Sequence, residues 1–557
     1  MKSFTLNPRP ILLTIAFLAV VGVAFASWLS GTFAGQPDPR SWYSAFYVIF
    51  ARDEILGLSL VALFSLVAAF FLFDGNRSDR GKCPGFRATP LWLSVIAAGV
   101  FAITALGTHF VCHDYALSAD EFMADFQAKI FLRADVSAEV PPEWQGVIRV
   151  IKPTYVDYFP ATHRWKAAYL PVYAAMRAVF QAASLQSFLN PCLAAITLLA
   201  LFGAVRNFWP NDKRNALVAV LLLGSSTQFL LMAMTGYAMS AHLALNTVWL
   251  WLYSRPERRR FYLAPVVGVF AIGLHQPIVH ALFVAPFLLR LVRERKWRTL
   301  SIFGIIYSLG CVAWFAWRSH YAPPSGAGLM PFFGLWNPKM IVIQPMDLLL
   351  LIGWSALATP LLAVLGAAQF FRARPVVQDA ALSCLLTFGF YYFFVYDQGH
   401  GWGYRYFHGT LSCLILVAVA GWEALAAKVG ASAARNFLIA GTAASLLLGL
   451  PLRCYQAETF IRPFARASDA MHRMRVATVG LDPTIAWYSA DLIRNDPYLE
   501  RRPLVIALTQ LQPEEVAVLR QKGKARFVTR EEMDAWGLAT RPRLQFRPDP
   551  FRLGMGN

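Results

Sequence analysis

Thirteen apolar stretches run through the chain, and no other feature limits its fold so strongly. They centre near residues 11–29, 55–73, 91–108, 188–205, 216–234, 240–253, 261–274, 278–292, 300–317, 346–371, 380–396, 406–424 and 437–452. A helix needs about 20 apolar residues to cross the hydrocarbon core of a bilayer. The stretches therefore predict an all-α polytopic membrane protein with about thirteen transmembrane helices. A transmembrane barrel, built from alternating strands of ~10 residues, is excluded by the same runs. With 57% hydrophobic and only 15% charged residues, where soluble domains carry roughly 25% charge, a soluble enzyme is excluded too.

The formal charge of +19 would suggest nucleic acid in a soluble protein, but here the basic residues cluster in short segments between spans. With the amino terminus inside, the inner segments hold 22 of them, from Lys2 and Arg9 through Arg77, Arg87, Arg206, Arg290 and Arg374 to Arg435. The short outer loops hold only Arg40, Arg52, Arg318, Lys339 and Arg405. This asymmetry predicts a cytoplasmic amino terminus and a carboxy-terminal segment outside, with no nucleic-acid partner. The first span, preceded by Lys2 and Arg9 and followed by Ala24-Phe25-Ala26, reads as an uncleaved anchor because further spans follow it. The seven cysteines include no CxxC pair, so neither a disulfide framework nor a metal knuckle is expected.

Three regions follow from this pattern. Residues 1–90 form two helices and a basic cytoplasmic loop. Residues 91–452 form the membrane core, with a large exoplasmic loop at 109–186. Residues 453–557 read as a small exoplasmic α/β domain: strand-like Arg475 to Val479, Pro503 to Leu508 and Ala525 to Thr529 alternate with helical Ile485 to Arg494 and Pro513 to Gln521, a pattern that suggests a short parallel sheet. No phosphate-binding glycine motif occurs there.

All ten histidines and eight carboxylates of the first loop fall on or near the exoplasmic face in this topology, where ionisable groups beside a bilayer are functional candidates. The sharpest local feature is the run from Ser118 to Arg133. Phe122, Met123, Phe126, Ile130 and Phe131 form one apolar face opposite Asp125, Lys129 and Arg133, which predicts a helix lying flat on the membrane surface. Ser118 and Glu121 fit a capping box. That box accounts for Glu121 without catalysis and leaves Asp120 for acid-base chemistry. His109 and His113, four apart with Asp114 adjacent, have the spacing of a divalent-metal pair. Most such pairs bind nothing, and no metal is assigned.

Taken together these residues carry a resemblance. The Asp120-Glu121 pair opens a surface helix in the first outer loop; His163-Arg164-Trp165-Lys166 leads to Tyr169-Leu170-Pro171-Val172-Tyr173; and a span opens at Phe188-Leu189-Asn190-Pro191. Gly236-Tyr237 to His242 and Gly403-Tyr404-Arg405-Tyr406 lie at later span ends. The pattern, over roughly residues 91–425, resembles the GT-C superfamily of integral-membrane glycosyltransferases, in particular bacterial aminoarabinose transferases and protein O-mannosyltransferases. Tyr169-Leu170-Pro171 departs from the Tyr-Pro-Pro-Gly of many relatives, and two helices precede the usual first span.

The resemblance implies a GT-C-like helical core in the bacterial inner membrane. It also implies transfer of a sugar from a polyprenyl-phosphate donor to an envelope glycan, lipid or protein, with inversion and without a cofactor. Asp120 is then the matched base, with Glu121 its motif neighbour, and Lys166 and Arg405 are the cations for the donor phosphate. His163, Tyr169, Tyr237, His242, His275, His280 and Tyr404 are candidate substrate contacts. Membrane lipids are the remaining partners. Two other classes fit the composition: a transporter or flippase for a lipid-linked sugar, which should carry ionisable groups on broken helices near the midplane, and a non-enzymatic assembly subunit.

Overall fold

The structure, a computed structural model, describes residues 6–34, 45–72, 90–321, 339–394, 397–399, 401–484, 486, 488–512, 514–515 and 525–538. In chain order the helices are α1 (Pro8–Ala34), α2 (Ala45–Val67), α3 (Pro90–Phe110), α4 (Ala119–Leu132), α5 (Pro142–Gln145), α6 (Ile148–Ile151), α7 (Val172–Ala182), α8 (Leu189–Phe208), α9 (Arg214–Gly224) and α10 (Thr227–Met234). They continue with α11 (Met239–Tyr253), α12 (Ala264–Ile272), α13 (Pro277–Arg293), α14 (Trp297–Tyr321), α15 (Lys339–Trp354), α16 (Thr359–Ala368), α17 (Pro375–Tyr392), α18 (Leu411–Val429), α19 (Ala431–Ala444), α20 (Leu450–His472) and α21 (Arg530–Ala535).

The protein is a helical integral membrane protein, and its described helices do not confirm the count of thirteen spans. Among the described residues, seven helices are long and apolar enough to cross a membrane, or up to nine if two bent pairs each count as one span. The difference lies in breaks that an averaged hydropathy does not register. One apolar run divides into α9 and α10, bent by 58°. There the Ser226 hydroxyl accepts from the Phe229 amide and starts a new helix in the middle of the run. Another divides into α15 and α16, bent by 114°. Further runs became helices too short to span, such as the 15 residues of α11 and the nine of α12.

Close approach of small residues packs the bundle. Where α16 crosses α18, a Cβ on Gly366 would overlap the Val417 carbonyl, and one on Gly421 the Leu362 carbonyl. Near its start α20 is tied to α2 by a buried pair: Arg453 donates through both Nη atoms to the Glu54 carboxylate at 3.0 and 2.8 Å, and Trp354 donates to the same group at 2.8 Å.

Between α3 and α8 the loop folds into α4, α7 and a small antiparallel sheet of β1 (Ala138–Glu139), β2 (Val156–Phe159) and β3 (Arg164–Ala167), in the order β1-β3-β2. The tail holds β4 (Thr478–Leu481), β5 (Leu504–Ala507) and β6 (Ala525–Phe527), parallel and in the order β5-β4-β6. In place of the predicted helix from Ile485 to Arg494, the described residues show a single 3-10 turn, Ser489–Leu492. Tyr488 precedes it with φ +56°, a left-handed conformation that does not continue into an α-helix. Most of the predicted helix from Pro513 to Gln521 lies outside the described residues.

The apolar face of α4 does not rest on lipid. Met123, Phe126 and Ile130 are buried in one core with Trp165 of β3 and with Leu499, Leu504 and Ile506 of the tail. The sequence pattern identifies the buried stripe correctly, but protein covers it rather than membrane. The loop and the tail consequently share a hydrophobic core.

Candidate active site

The first turn of α4 is built by reciprocal capping. The Ser118 hydroxyl accepts from the Glu121 amide at 3.2 Å, and Glu121 Oε1 accepts from the Ser118 amide at 3.2 Å. This is the predicted capping box. Glu121 Oε2 also accepts from the Gly236 amide at 2.7 Å, which ties α4 to the turn between α10 and α11. The same turn gathers other motif residues. Asn190 at the start of α8 donates to the carbonyls of Thr235 and Tyr237 at 2.7 and 2.9 Å, and Tyr173 donates to the Gly236 carbonyl at 2.8 Å.

Burial raises the Glu121 carboxyl to about 7, with the Gly236 and Ser118 amides opposing that rise. An unfolded glutamate titrates near pH ~4.3, so the folded chain holds the Glu121 proton more tightly. The resulting stabilisation is complete in acid below that value and is lost as pH rises through about 7. Purified wild-type protein should therefore lose thermal stability progressively between about pH 4 and 7 and level off above, a decline that Glu121→Gln lacks. The variant should also be destabilised by about 1 kcal/mol, because glutamine has one oxygen in place of the two that accept from the Ser118 and Gly236 amides. Parallel pH-dependent slopes for the two proteins would contradict the assignment.

Asp120 projects from the same turn toward a different neighbourhood. Its Oδ2 accepts from Arg405 Nη1 at 2.9 Å, and its Oδ1 accepts a short hydrogen bond from the Tyr169 hydroxyl. Burial acts to raise its carboxyl, but the Arg405 charge, His275 and the Tyr169 hydroxyl outweigh this and hold it below the ordinary aspartate value. Asp120 is thus an ionised carboxylate with two fixed donors.

It lines a pocket together with Met123, Gln127, Ala167, Tyr169, Tyr173, Leu274 and His275. The His275 ring centroid lies 4.0 Å from that of Tyr169. Both of its ring nitrogens are buried without a hydrogen-bond partner among the described residues.

Arg405 is held by its own loop and by aromatic faces. Its Nη2 donates to the Gln398 carbonyl at 2.8 Å, its amide donates to Gln398 Oε1 at 2.7 Å, and its guanidinium lies 4.8 Å over Tyr237 and 5.5 Å over Tyr406. Its Nε is buried without a partner among the described residues. Residues 285 positions apart in the chain, Asp120 and Arg405, thus form one charged pair at the pocket wall.

Other expected contacts lie elsewhere. Lys166 is buried on β3 opposite Asp157, with its ammonium 5.5 Å from the Trp317 ring. Ala167 lines the pocket, and successive strand residues point to opposite faces, so Lys166 is directed away from it. Burial lowers the Lys166 ammonium to about 8, with Asp157 opposing. His163 sits at the exposed end of the β2–β3 hairpin beside the Tyr158 hydroxyl at 3.0 Å.

His280 spends both ring nitrogens inside the bundle, on Asn246 at 2.7 Å and Tyr307 at 2.8 Å. His242 is fully buried beneath Gly409, and Tyr404 is fully buried with its hydroxyl toward Gln344 at 3.3 Å. Tyr237 acts as the platform under Arg405 and does not line the pocket. His109 and His113 pair with different carboxylates, Asp114 and Glu458.

The residues that sequence reasoning passed over are Asn190, Gln398 and the Gly236 amide. Asn190 lay within a quoted motif, and Gln398 belongs to a polar Asp-Gln-Gly run just ahead of Arg405. The Gly236 contact is made by backbone and leaves no side-chain signal.

No protein-family model matches this chain, and no curated protein sequence does. Solved structures are similar. ArnT from Cupriavidus metallidurans bound to undecaprenyl phosphate superposes with a TM-score of 0.52 at 12% identity, over 78% of this chain and 95% of that one. The apo state of the same protein gives 0.49 at 13% identity, over 77% and 94%. The apo oligosaccharyltransferase of Archaeoglobus fulgidus gives 0.39 at 12% identity, over 74% and 64%. At such identity the likeness concerns architecture: the helical core that holds Asp120 and Arg405 shares its fold with that ArnT structure.

Proposed function

We propose that the protein transfers one sugar from a polyprenyl-phosphate donor to a hydroxyl of a cell-envelope acceptor, at the outer face of the inner membrane. The Asp120–Arg405 pair on the pocket wall carries this reading, and a fold shared with a protein bound to undecaprenyl phosphate supports the donor class. In the reaction the acceptor oxygen bonds to the anomeric carbon as the carbon–oxygen bond to phosphate breaks. The electron pair of that bond leaves with the polyprenyl phosphate. The acceptor proton passes to Asp120, whose ionised state suits it to receive one. Arg405, whose Nε has no partner among the described residues, supplies charge-assisted hydrogen bonds to the phosphate as negative charge builds there. Tyr169 orients the Asp120 carboxylate, and His275 offers the pocket a ring nitrogen for a sugar hydroxyl. Lys166 has no part in this reading, because its strand face turns from the pocket.

A carrier for lipid-linked sugars is the second reading. The 114° break between α15 and α16 and the buried Glu54–Arg453 pair are features that transport proteins use. Purified protein offered a panel of radiolabelled polyprenyl-phosphate sugars with envelope extracts separates the two. Transfer of label to an extract component is the expected result. Label that crosses vesicle bilayers but never leaves its lipid would establish the carrier and overturn the transferase.

A further inference from the structure

The tail was expected as a separate small domain, yet residues around its 3-10 turn hold the segment that carries Asp120 and stand beside the one that leads to Arg405. Asp491 Oδ2 accepts from the Ala119 amide at 3.0 Å, one residue before Asp120 and 372 positions away in the chain. Arg494 Nη2 donates to the Leu117 carbonyl at 2.8 Å, and its guanidinium lies 4.1 Å over Tyr115 and 5.4 Å over Phe122. Arg494 Nε also donates to the Asp491 carbonyl at 2.6 Å, so the two residues act as one clasp on residues 117–119.

On the other side, the Tyr488 hydroxyl lies 3.4 Å from where a Cβ on Gly399 would stand. Gly399 has φ +62° in the loop whose next residues lead to Arg405, a backbone that side chains adopt poorly. The clasp does not float: Trp165 donates to the Pro497 carbonyl at 2.8 Å, Asn495 donates to the Ile151 carbonyl at 2.8 Å, and α4 shares its core with β5.

A helix start leaves four amides without partners. The capping box serves Glu121 from Ser118, and Ala119 is served by the tail. We propose that the carboxy-terminal segment completes the active site, with Asp491 as a positioning residue that holds the first turn of α4, and through it Asp120, against the Arg405 loop. The proposal rests on Asp120 as the reacting base.

Asp491→Ala frees the Ala119 amide, and a displacement of the base by about 1 Å costs on the order of 100-fold in rate. The variant should lose turnover of the labelled polyprenyl-phosphate sugar by at least about tenfold while KM for that donor changes less than about threefold, since Asp491 touches no substrate. Asp491→Asn keeps an oxygen that accepts the same hydrogen bond and should return turnover close to wild type.

Hydrogen exchange of the peptide covering residues 117–123 reads the clasp without any activity: exchange should accelerate in Asp491→Ala and remain slow in Asp491→Asn. Unchanged exchange, wild-type turnover in Asp491→Ala, or an Asn variant as impaired as the Ala variant would each overturn the proposal. If Asp120→Asn is inactive while Asp491→Ala turns over normally, only the positioning role falls; if Asp120→Asn is fully active, both fall.

Discussion

Asp120→Asn should retain the fold and donor binding and lose turnover by about 100-fold or more, the scale of general base catalysis. Asparagine preserves the size of the side chain and keeps an oxygen for the Arg405 donor, while its amide nitrogen can donate to the Tyr169 hydroxyl oxygen, so the pocket wall stays in place. Only the capacity to take a proton disappears. The loss corresponds to about 2.7 kcal/mol of transition-state stabilisation. Thermal unfolding in detergent and a donor titration identify a folded, binding-competent variant. Wild-type turnover in that variant would remove Asp120 as the base. Because Arg405 and Tyr169 keep the carboxylate ionised well into acid, activity should not decline from Asp120 protonation anywhere near neutral pH.

Arg405 has the second-largest expected effect. It bridges the Asp120 carboxylate and the Gln398 carbonyl with two different nitrogens while a third, Nε, has no partner among the described residues. A lysine carries one compact charge and cannot reproduce that fork. Arg405→Lys should weaken donor affinity and turnover by roughly tenfold, with Arg405→Ala weaker still. An arginine that merely anchored a span at the interface would be replaced by lysine almost without loss, since both side chains snorkel. Donor titrations and rates on the two variants decide it: an Arg405→Lys protein matching wild type in both would end the phosphate role.

The cap of α4 was legible because it is local. Ser118 and Glu121 lie three residues apart, and their spacing alone places each side chain on the other's amide. The membrane class was legible for a related reason, since unbroken apolar runs leave a chain few other solvents. The three tail strands fall near their expected positions because alternation and turn residues mark strands locally. Span number was less legible, because the polar break at Ser225-Ser226 is too short to alter a windowed hydropathy yet long enough to redirect a helix by 58°.

Among the histidines, residue type was a poor guide. His275 and His280 lie five positions apart, but one faces the pocket with ring nitrogens that have no partner among the described residues and the other is saturated by Asn246 and Tyr307. Lys166 lies away from the pocket for a different reason: it alternates with Ala167 along β3, and the order of residues there carries no strand signal.

What the amino-acid order determines by itself, then, is the membrane solvent, the buried stripe of α4, the capping box and the identity of Asp120 and Arg405 as candidates. Each depends on residues within a few positions of one another, or on a resemblance between short motifs. Tertiary structure alone decides what covers that stripe, which cation meets Asp120, which histidine reaches the pocket and that the tail clasps the first turn of α4. Those contacts join residues hundreds of positions apart, and pairing at such distance is set by how buried surfaces fit together, which no local spacing encodes.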